Sequence, residues 1–298
     1  MSFWNTRRTE TAPVLAALAA VVLWGLSFVA TKQALSELSP LTLIVFRFAI
    51  GVTALALILK LRGAALVPPR EFLPTLALMG FVGIFVHQVV QVHGLEKTTA
   101  VRTGWLIGLS PIWTAILAAL FLKERLGVAR IAGLLLGLAG ALLVVTRGRL
   151  SGELLAMPST TGDLLVLAST VNWAIYSTIG RGTLRALGSA RSTFAIMMLG
   201  WLMVIPLWLA RGARLPQNFG AATLGSLLFL GIGCSALGYL FWYAALEKLD
   251  ASRVAAFLYV EPLVTMAAAV LVLGEPVAWT TVVGGVLVIA GVVLVQRR

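Results

Sequence analysis

Acidic side chains, histidine and cysteine are all scarce in this chain: its 298 residues hold 11 Asp and Glu, 2 His and 1 Cys. Only 11% of residues are charged while 60% are hydrophobic, and the mean hydropathy is +0.99. Soluble chains carry about 25% charged residues, so a water-soluble fold is excluded. The lone Cys234 rules out an intrachain disulfide and any metal site built from thiolates. His-Glu-x-x-His and Gly-x-Ser-x-Gly are missing and no pair of aspartates lies within a span, so an intramembrane hydrolase would lack its activated groups. Rings of charge and repeated filter motifs are missing too, which argues against an ion channel. No catalytic residue, cofactor or metal is expected, and the chain is not read as an enzyme.

What the sequence does have is apolar runs. Ten lie near 12–32, 41–61, 72–92, 98–121, 128–146, 162–181, 192–210, 220–244, 252–273 and 278–296, bounded by charge, Pro or Gly. The first resembles a signal peptide after Arg7 and Arg8, but it is long for one and is read as a retained helix. The formal charge of +12 reports orientation and not nucleic acid. Sorted by alternate loops, one side collects Arg7, Arg8, Lys60, Arg62, Arg70, Lys123, Arg125, Arg130, Arg181, Arg185, Arg191, Lys248, Arg253, Arg297 and Arg298. The other side has Lys32, Lys97, Arg102, Arg147, Arg149, Arg211 and Arg214. The positive-inside bias then predicts cytoplasmic termini in an inner (cytoplasmic) membrane, consistent with an even number of spans.

The chain also repeats itself. Residues 95–147 laid on 246–298 without a gap match at about a third of positions. Leu95-Glu96-Lys97 meets Leu246-Glu247-Lys248, Arg102 meets Arg253, Pro111 meets Pro262, and Glu124 meets Glu275. Gly133 meets Gly284 and Gly140 meets Gly291. Trp24-Gly25-Leu26-Ser27 has a weaker echo in Trp173-Ala174-Ile175-Tyr176. These matches predict an all-α integral membrane protein of ten helices in two five-helix halves, 1–148 and 149–298. Five is odd, so the halves are expected to be inverted, an arrangement suited to alternating access around a central cavity.

Pro111-Ile112-Trp113 with Leu120-Phe121-Leu122-Lys123-Glu124-Arg125-Leu126 and Gly133-x6-Gly140 resembles the end of an EamA-like repeat of the drug/metabolite transporter superfamily. Glu261-Pro262-Leu263, Leu273-Gly274-Glu275 and Gly284-x6-Gly291 resemble its second copy, and Arg47-Phe48 is similar to that family's early arginine. The resemblance implies a cavity lined mainly by helices 1, 3, 4, 6, 8 and 9. Within the superfamily the pattern is most similar to amino-acid and metabolite exporters, including the YddG-type aromatic amino-acid exporters, and export is implied by this resemblance alone.

Charge inside hydrocarbon is costly and marks function or pairing. Arg47 and Glu261 fall at similar depths and could pair; Glu261 could alternatively carry a proton or meet a substrate amine. In the third span His87, Gln88 and Gln91 share a face, and in the repeat frame Gln88 and Gln91 correspond to Tyr239 and Trp242. His87 could couple transport through its near-neutral titration or could be a satisfied interhelical hydrogen-bonder. Trp24, Trp105, Trp173 and Tyr176 could wall a pocket, with Ser27, Ser110 and Asn172 orienting a solute's polar end. A packing role is open for each, and Trp4, Trp208 and Trp279 fit interfacial belts. Gly104-x3-Gly108 and Gly133-x3-Gly137 permit close helix approach, for packing or for a dimer face.

The first span has no carboxylate, which disfavours small multidrug-type cation exchange. Only Arg47 lies deep, too few cations for phosphorylated solutes. The expected solute is small and neutral or zwitterionic, amino acids foremost; a multidrug or organic-cation exporter is the alternative. The expected partners are that solute and the lipid bilayer, with no nucleic acid, in a monomer or weak homodimer.

Overall fold

The computed structural model describes residues 3–110, 112–113, 116–117, 127–148, 158–179, 183, 186–213, 218, 220–249, 254 and 257–296. All regular elements among these are helical. They are α1 (Phe3–Ala34), α2 (Pro40–Leu61), α3 (Arg70–Lys97), α4 (Ala100–Ile107), α5 (Val128–Thr146), α6 (Pro158–Thr178), α7 (Ser189–Ala210), α8 (Ala221–Lys248), α9 (Glu261–Leu273) and α10 (Trp279–Gln296). Five of them, α2, α3, α7, α8 and the Thr11–Ala34 part of α1, are long and apolar enough to cross a bilayer. Ile131–Thr146, Glu261–Leu273 and Trp279–Leu294 are shorter apolar helices. Leu15, Leu57, Leu135, Leu202 and Leu271 stay exposed, the surface expected of a multi-pass membrane protein whose outer solvent is lipid.

Local chemistry sets the helix ends. Ser39 caps α2, its hydroxyl accepting from the Thr42 amide at 3.4 Å with Pro40 in the first turn. Gly274, at φ +63°, closes α9 in the left-handed conformation that glycine adopts without penalty. The amide ends of α4 are capped from a distance: Glu275 Oε1 accepts from Ala100 N and its Oε2 from Val101 N, both at 2.9 Å. Glu275→Ala is therefore expected to lower stability by about 1–2 kcal/mol, read by thermal unfolding in detergent. The residues around Glu124, its counterpart in the repeat, lie outside those described.

Two helices depart from regular geometry. In α3 the segment Phe81–Val86, and in α8 the segment Phe229–Gly238, widen to π-helical turns. Such turns release backbone carbonyls and turn the following residues to a new face. Both released regions are met by side chains: Asn172 Nδ2 donates to Val82 O at 2.7 Å, and Trp24 Nε1 donates to Cys234 O at 3.1 Å.

The main helix contacts are α5 with α10, α3 with α6, α2 with α7 and α8, α1 with α8 and α9, α3 with α7, and α4 with α9 and α6. Small residues bring several of these together. Gly140 meets Gly284, and Gly291 meets Gly133 and Gly137, so α5 and α10 cross antiparallel. Gly80 meets Gly200 between α3 and α7, and Gly104 lies against Thr265 of α9. The glycine faces singled out in the sequence are thus used inside the chain, where direct backbone approach gains dispersion contacts that lipid cannot supply.

Candidate functional site

A cavity of about 50 Å³ lies between the helices. It is lined by Trp24, Ser27 and Phe28 of α1, Arg47 of α2, His87, Gln88 and Gln91 of α3, Ile107 and Ser110 at and just beyond α4, Trp173 of α6, Tyr239 of α8, Leu258 in the 3-10 turn Phe257–Val260, and Glu261 at the start of α9. The widened turns explain part of this placement. His87 and Gln88 directly follow Phe81–Val86, and Tyr239 directly follows Phe229–Gly238.

One wall is aromatic. Trp24 meets Trp173 edge to face at 5.7 Å and Tyr239 at 5.3 Å, and Trp173 meets the His87 ring at 5.2 Å. Behind this wall Trp242 packs on Trp24 at 5.2 Å and Tyr176 on Trp173 at 5.3 Å. The Tyr176 and Tyr243 hydroxyls hydrogen-bond each other, and the Tyr176 ring fills the space left by Gly83. Phe28, Ile107 and Leu258 add apolar surface.

The polar lining is largely satisfied within the protein. His87 Nδ1 donates to Ser169 O at 3.1 Å and its Nε2 accepts from Gln91 Nε2 at 3.4 Å, the pattern of a neutral imidazole. Both ring nitrogens of His87 are thus occupied within the protein. Ser27 Oγ donates to Trp24 O at 2.6 Å and Ser110 Oγ to Ile107 O at 2.8 Å.

The two charges differ from the rest. Arg47 is 4% exposed, and its Nε donates to Ser235 Oγ at 2.9 Å and its Nη1 to Gln88 Oε1 at 3.3 Å. Its guanidinium also lies 5.4 Å from the Phe48 ring centroid. Glu261 is likewise 4% exposed, and among the described residues its carboxylate has no hydrogen-bond or ion-pair partner. The expected Arg47–Glu261 pair is not formed; both groups face one cavity, and neutral Ser235 and Gln88 hold the guanidinium. Ser235 carried no signal in the sequence beyond being a hydroxyl inside an apolar run.

Four expected wall residues lie off the cavity. Trp105, 1% exposed, is turned to α10, where Gly285 leaves room for its ring. Asn172 is occupied by Val82 O, and Tyr176 and Trp242 form the second aromatic layer. Trp208 donates from Nε1 to Thr42 Oγ1 at 3.0 Å, Trp279 is exposed, and the Trp4 side chain lies outside the described residues.

A second polar cluster, unforeseen in the sequence, sits where α3 turns into α4. Asp163, 0% exposed, forms an ion pair with Arg102 and accepts from Thr98 Oγ1 at 2.5 Å. Arg102 Nη2 also donates to Val144 O at 3.1 Å and Val145 O at 2.9 Å, tying α4 to α5 and α6. Lys32 Nζ donates to the carbonyls of Leu95 at 2.8 Å, Glu96 at 3.2 Å and Thr98 at 2.5 Å, capping the carbonyl end of α3 from α1.

The description "EamA-like transporter family" fits this chain twice, over residues 11–146 and 160–297. An uncharacterized transporter of Archaeoglobus fulgidus is 32% identical over 279 residues, 93% of this chain and 95% of its own length. A probable terminal-alkyne amino-acid exporter of Streptantibioticus cattleyicolor is 30% identical, covering 96% of this chain and 93% of its own. A probable amino-acid metabolite efflux pump of Salmonella typhimurium is 28% identical over 92% and 91%. A crystal structure with 19% sequence identity superposes with a TM-score of 0.69 over 96% of both chains, a likeness of fold. The chain belongs to the EamA-like transporter family.

Proposed function

We propose that this protein exports small neutral or zwitterionic metabolites, foremost amino acids with aromatic or other apolar side chains, across the inner (cytoplasmic) membrane. The observation that carries the reading is the cavity: an aromatic wall of Trp24, Trp173 and Tyr239 beside the Arg47 guanidinium and the Glu261 carboxyl group. Such a chamber suits a small amphipathic solute, and two relatives bear names of amino-acid exporters.

Alternating access between two inverted halves, 1–148 and 149–298, is the mechanism proposed, with both termini cytoplasmic. The contact pattern supports it: exchanging each helix for the one five places along turns α3–α6 into α8–α1, α2–α8 into α7–α3, and α1–α9 into α6–α4. Contacts α5–α10, α2–α7 and α4–α9 map onto themselves. The antiparallel crossing of α5 and α10 favours halves of opposite orientation, and both copies carry a widened third helix at the matching place. The cavity lies among helices of both halves, as rocking about a shared site requires.

Counterflow into liposomes holding the purified protein tests this reading. Radiolabelled phenylalanine, leucine and other apolar amino acids should accumulate above protein-free vesicles, and nucleosides and quaternary amines should not. Preferential uptake of quaternary amines would replace it with organic-cation export.

A further inference from the structure

We infer that Arg47 and Glu261 are separate recognition poles for a zwitterion, the guanidinium taking the solute's carboxylate and the Glu261 carboxylate its ammonium, while Trp24, Trp173 and Tyr239 hold its apolar side chain. This deepens the reading of the cavity as a solute chamber and rests on it. An ion nine-tenths or more removed from solvent is tolerated when a counter-charge or a set of hydrogen bonds compensates it. Arg47 has two neutral partners, which leave part of its five-donor fork unused. Glu261 has no partner among the described residues. The two groups line the same cavity, yet Arg47 and Glu261 are not within ion-pair distance.

A solute that carries both charges resolves the mismatch at each end at once. A cation satisfies Glu261 and leaves Arg47 beside an added positive charge; an anion does the reverse. The cavity therefore discriminates by requiring both poles, because a buried polar group left unpaired by the wrong solute raises that solute's cost. His87 does not compete for either role, since both its ring nitrogens are engaged within the protein.

Binding of three compounds of one size to the purified full chain in detergent, by isothermal titration calorimetry, tests the assignment. L-Phenylalanine has both poles, 3-phenylpropionate lacks the ammonium, and phenethylamine lacks the carboxylate. The wild-type protein should bind phenylalanine at least tenfold more tightly than either analogue. Glu261→Gln should weaken the two ammonium-bearing compounds selectively, and Arg47→Gln the two carboxylate-bearing ones. Equal affinity of the wild type for all three, uniform loss in both variants, or no saturable binding at all would overturn the assignment; the wild-type series decides even where a variant fails to fold. Failure of the transport reading looks different: tight, pole-dependent binding with no counterflow leaves the recognition intact and removes the carrier, whereas counterflow inhibited equally by all three compounds does the opposite.

Discussion

Asp163→Ala is expected to lower the stability of the protein by about 3–5 kcal/mol, because it strands a buried guanidinium. Arg102 is 5% exposed and Asp163 is its ion-pair partner, so after the substitution the positive charge is left with the Val144 and Val145 carbonyls alone. Thr98 loses its acceptor in the same step. The loss should appear as a large drop in the midpoint of thermal unfolding in detergent. The double replacement Asp163→Leu with Arg102→Met removes both charges while keeping apolar volume, and should recover most of it. Recovery would show that the cost lies in the unpaired charge and not in the missing carboxylate. A double variant as unstable as the single one would show instead that the hydrogen bonds to Thr98, Val144 and Val145 hold the helices together.

That cluster marks the limit of the sequence reading. The runs themselves were legible because hydrocarbon imposes long apolar stretches and charge marks their ends: α5 and α10 lie within a residue of the runs at 128–146 and 278–296. Depth along a helix was legible as well, since it follows from residue count. Direction around the helix was not. Trp105 is a candidate for the pocket wall by sequence, but its ring turns to α10 because Gly285 leaves space there, a fact set by a residue 180 positions away in the chain. Asp163 read as the end of a run; the two-residue turn at Thr98 and Thr99 brings Arg102 back against α6 and buries the acid.

The cavity shows the same division. Trp24, Ser27, His87, Gln88, Gln91, Ser110, Trp173 and Tyr239, with Arg47 and Glu261, were expected around a site and all line this cavity. They stood out because polar and aromatic residues in an apolar helix need a reason to be there. The widened turns in α3 and α8 left no such trace, as a π-helical turn is a backbone event that Gly83 or Gly238 permits without specifying. Those turns decide which way His87, Gln88 and Tyr239 face, so the separation of Arg47 from Glu261 could not be read before the fold was known.

The second large effect is expected where α5 and α10 touch backbone to backbone. A Cβ added at Gly140 would lie 2.5 Å from Gly284 O, one at Gly291 2.5 Å from Gly133 O, and one at Gly284 2.7 Å from Gly140 O. A carbonyl of a packed helix cannot rotate away, so the helices must separate, and each Gly→Ala change should cost about 1–3 kcal/mol despite the better helix propensity of alanine. Gly225 in α8 supplies the contrast: no atom lies within 4 Å of its added Cβ, and Gly225→Ala should be neutral or stabilising by up to about 1 kcal/mol. Gly140 and Gly291 are equivalent in the repeat, and so are Gly133 and Gly284. If the crossing lies on an axis relating two inverted halves, Gly140→Ala and Gly291→Ala should lower the unfolding midpoint by similar amounts. A loss confined to one of them would mean that the two copies bear on this seam unequally, and would count against a symmetric pivot there.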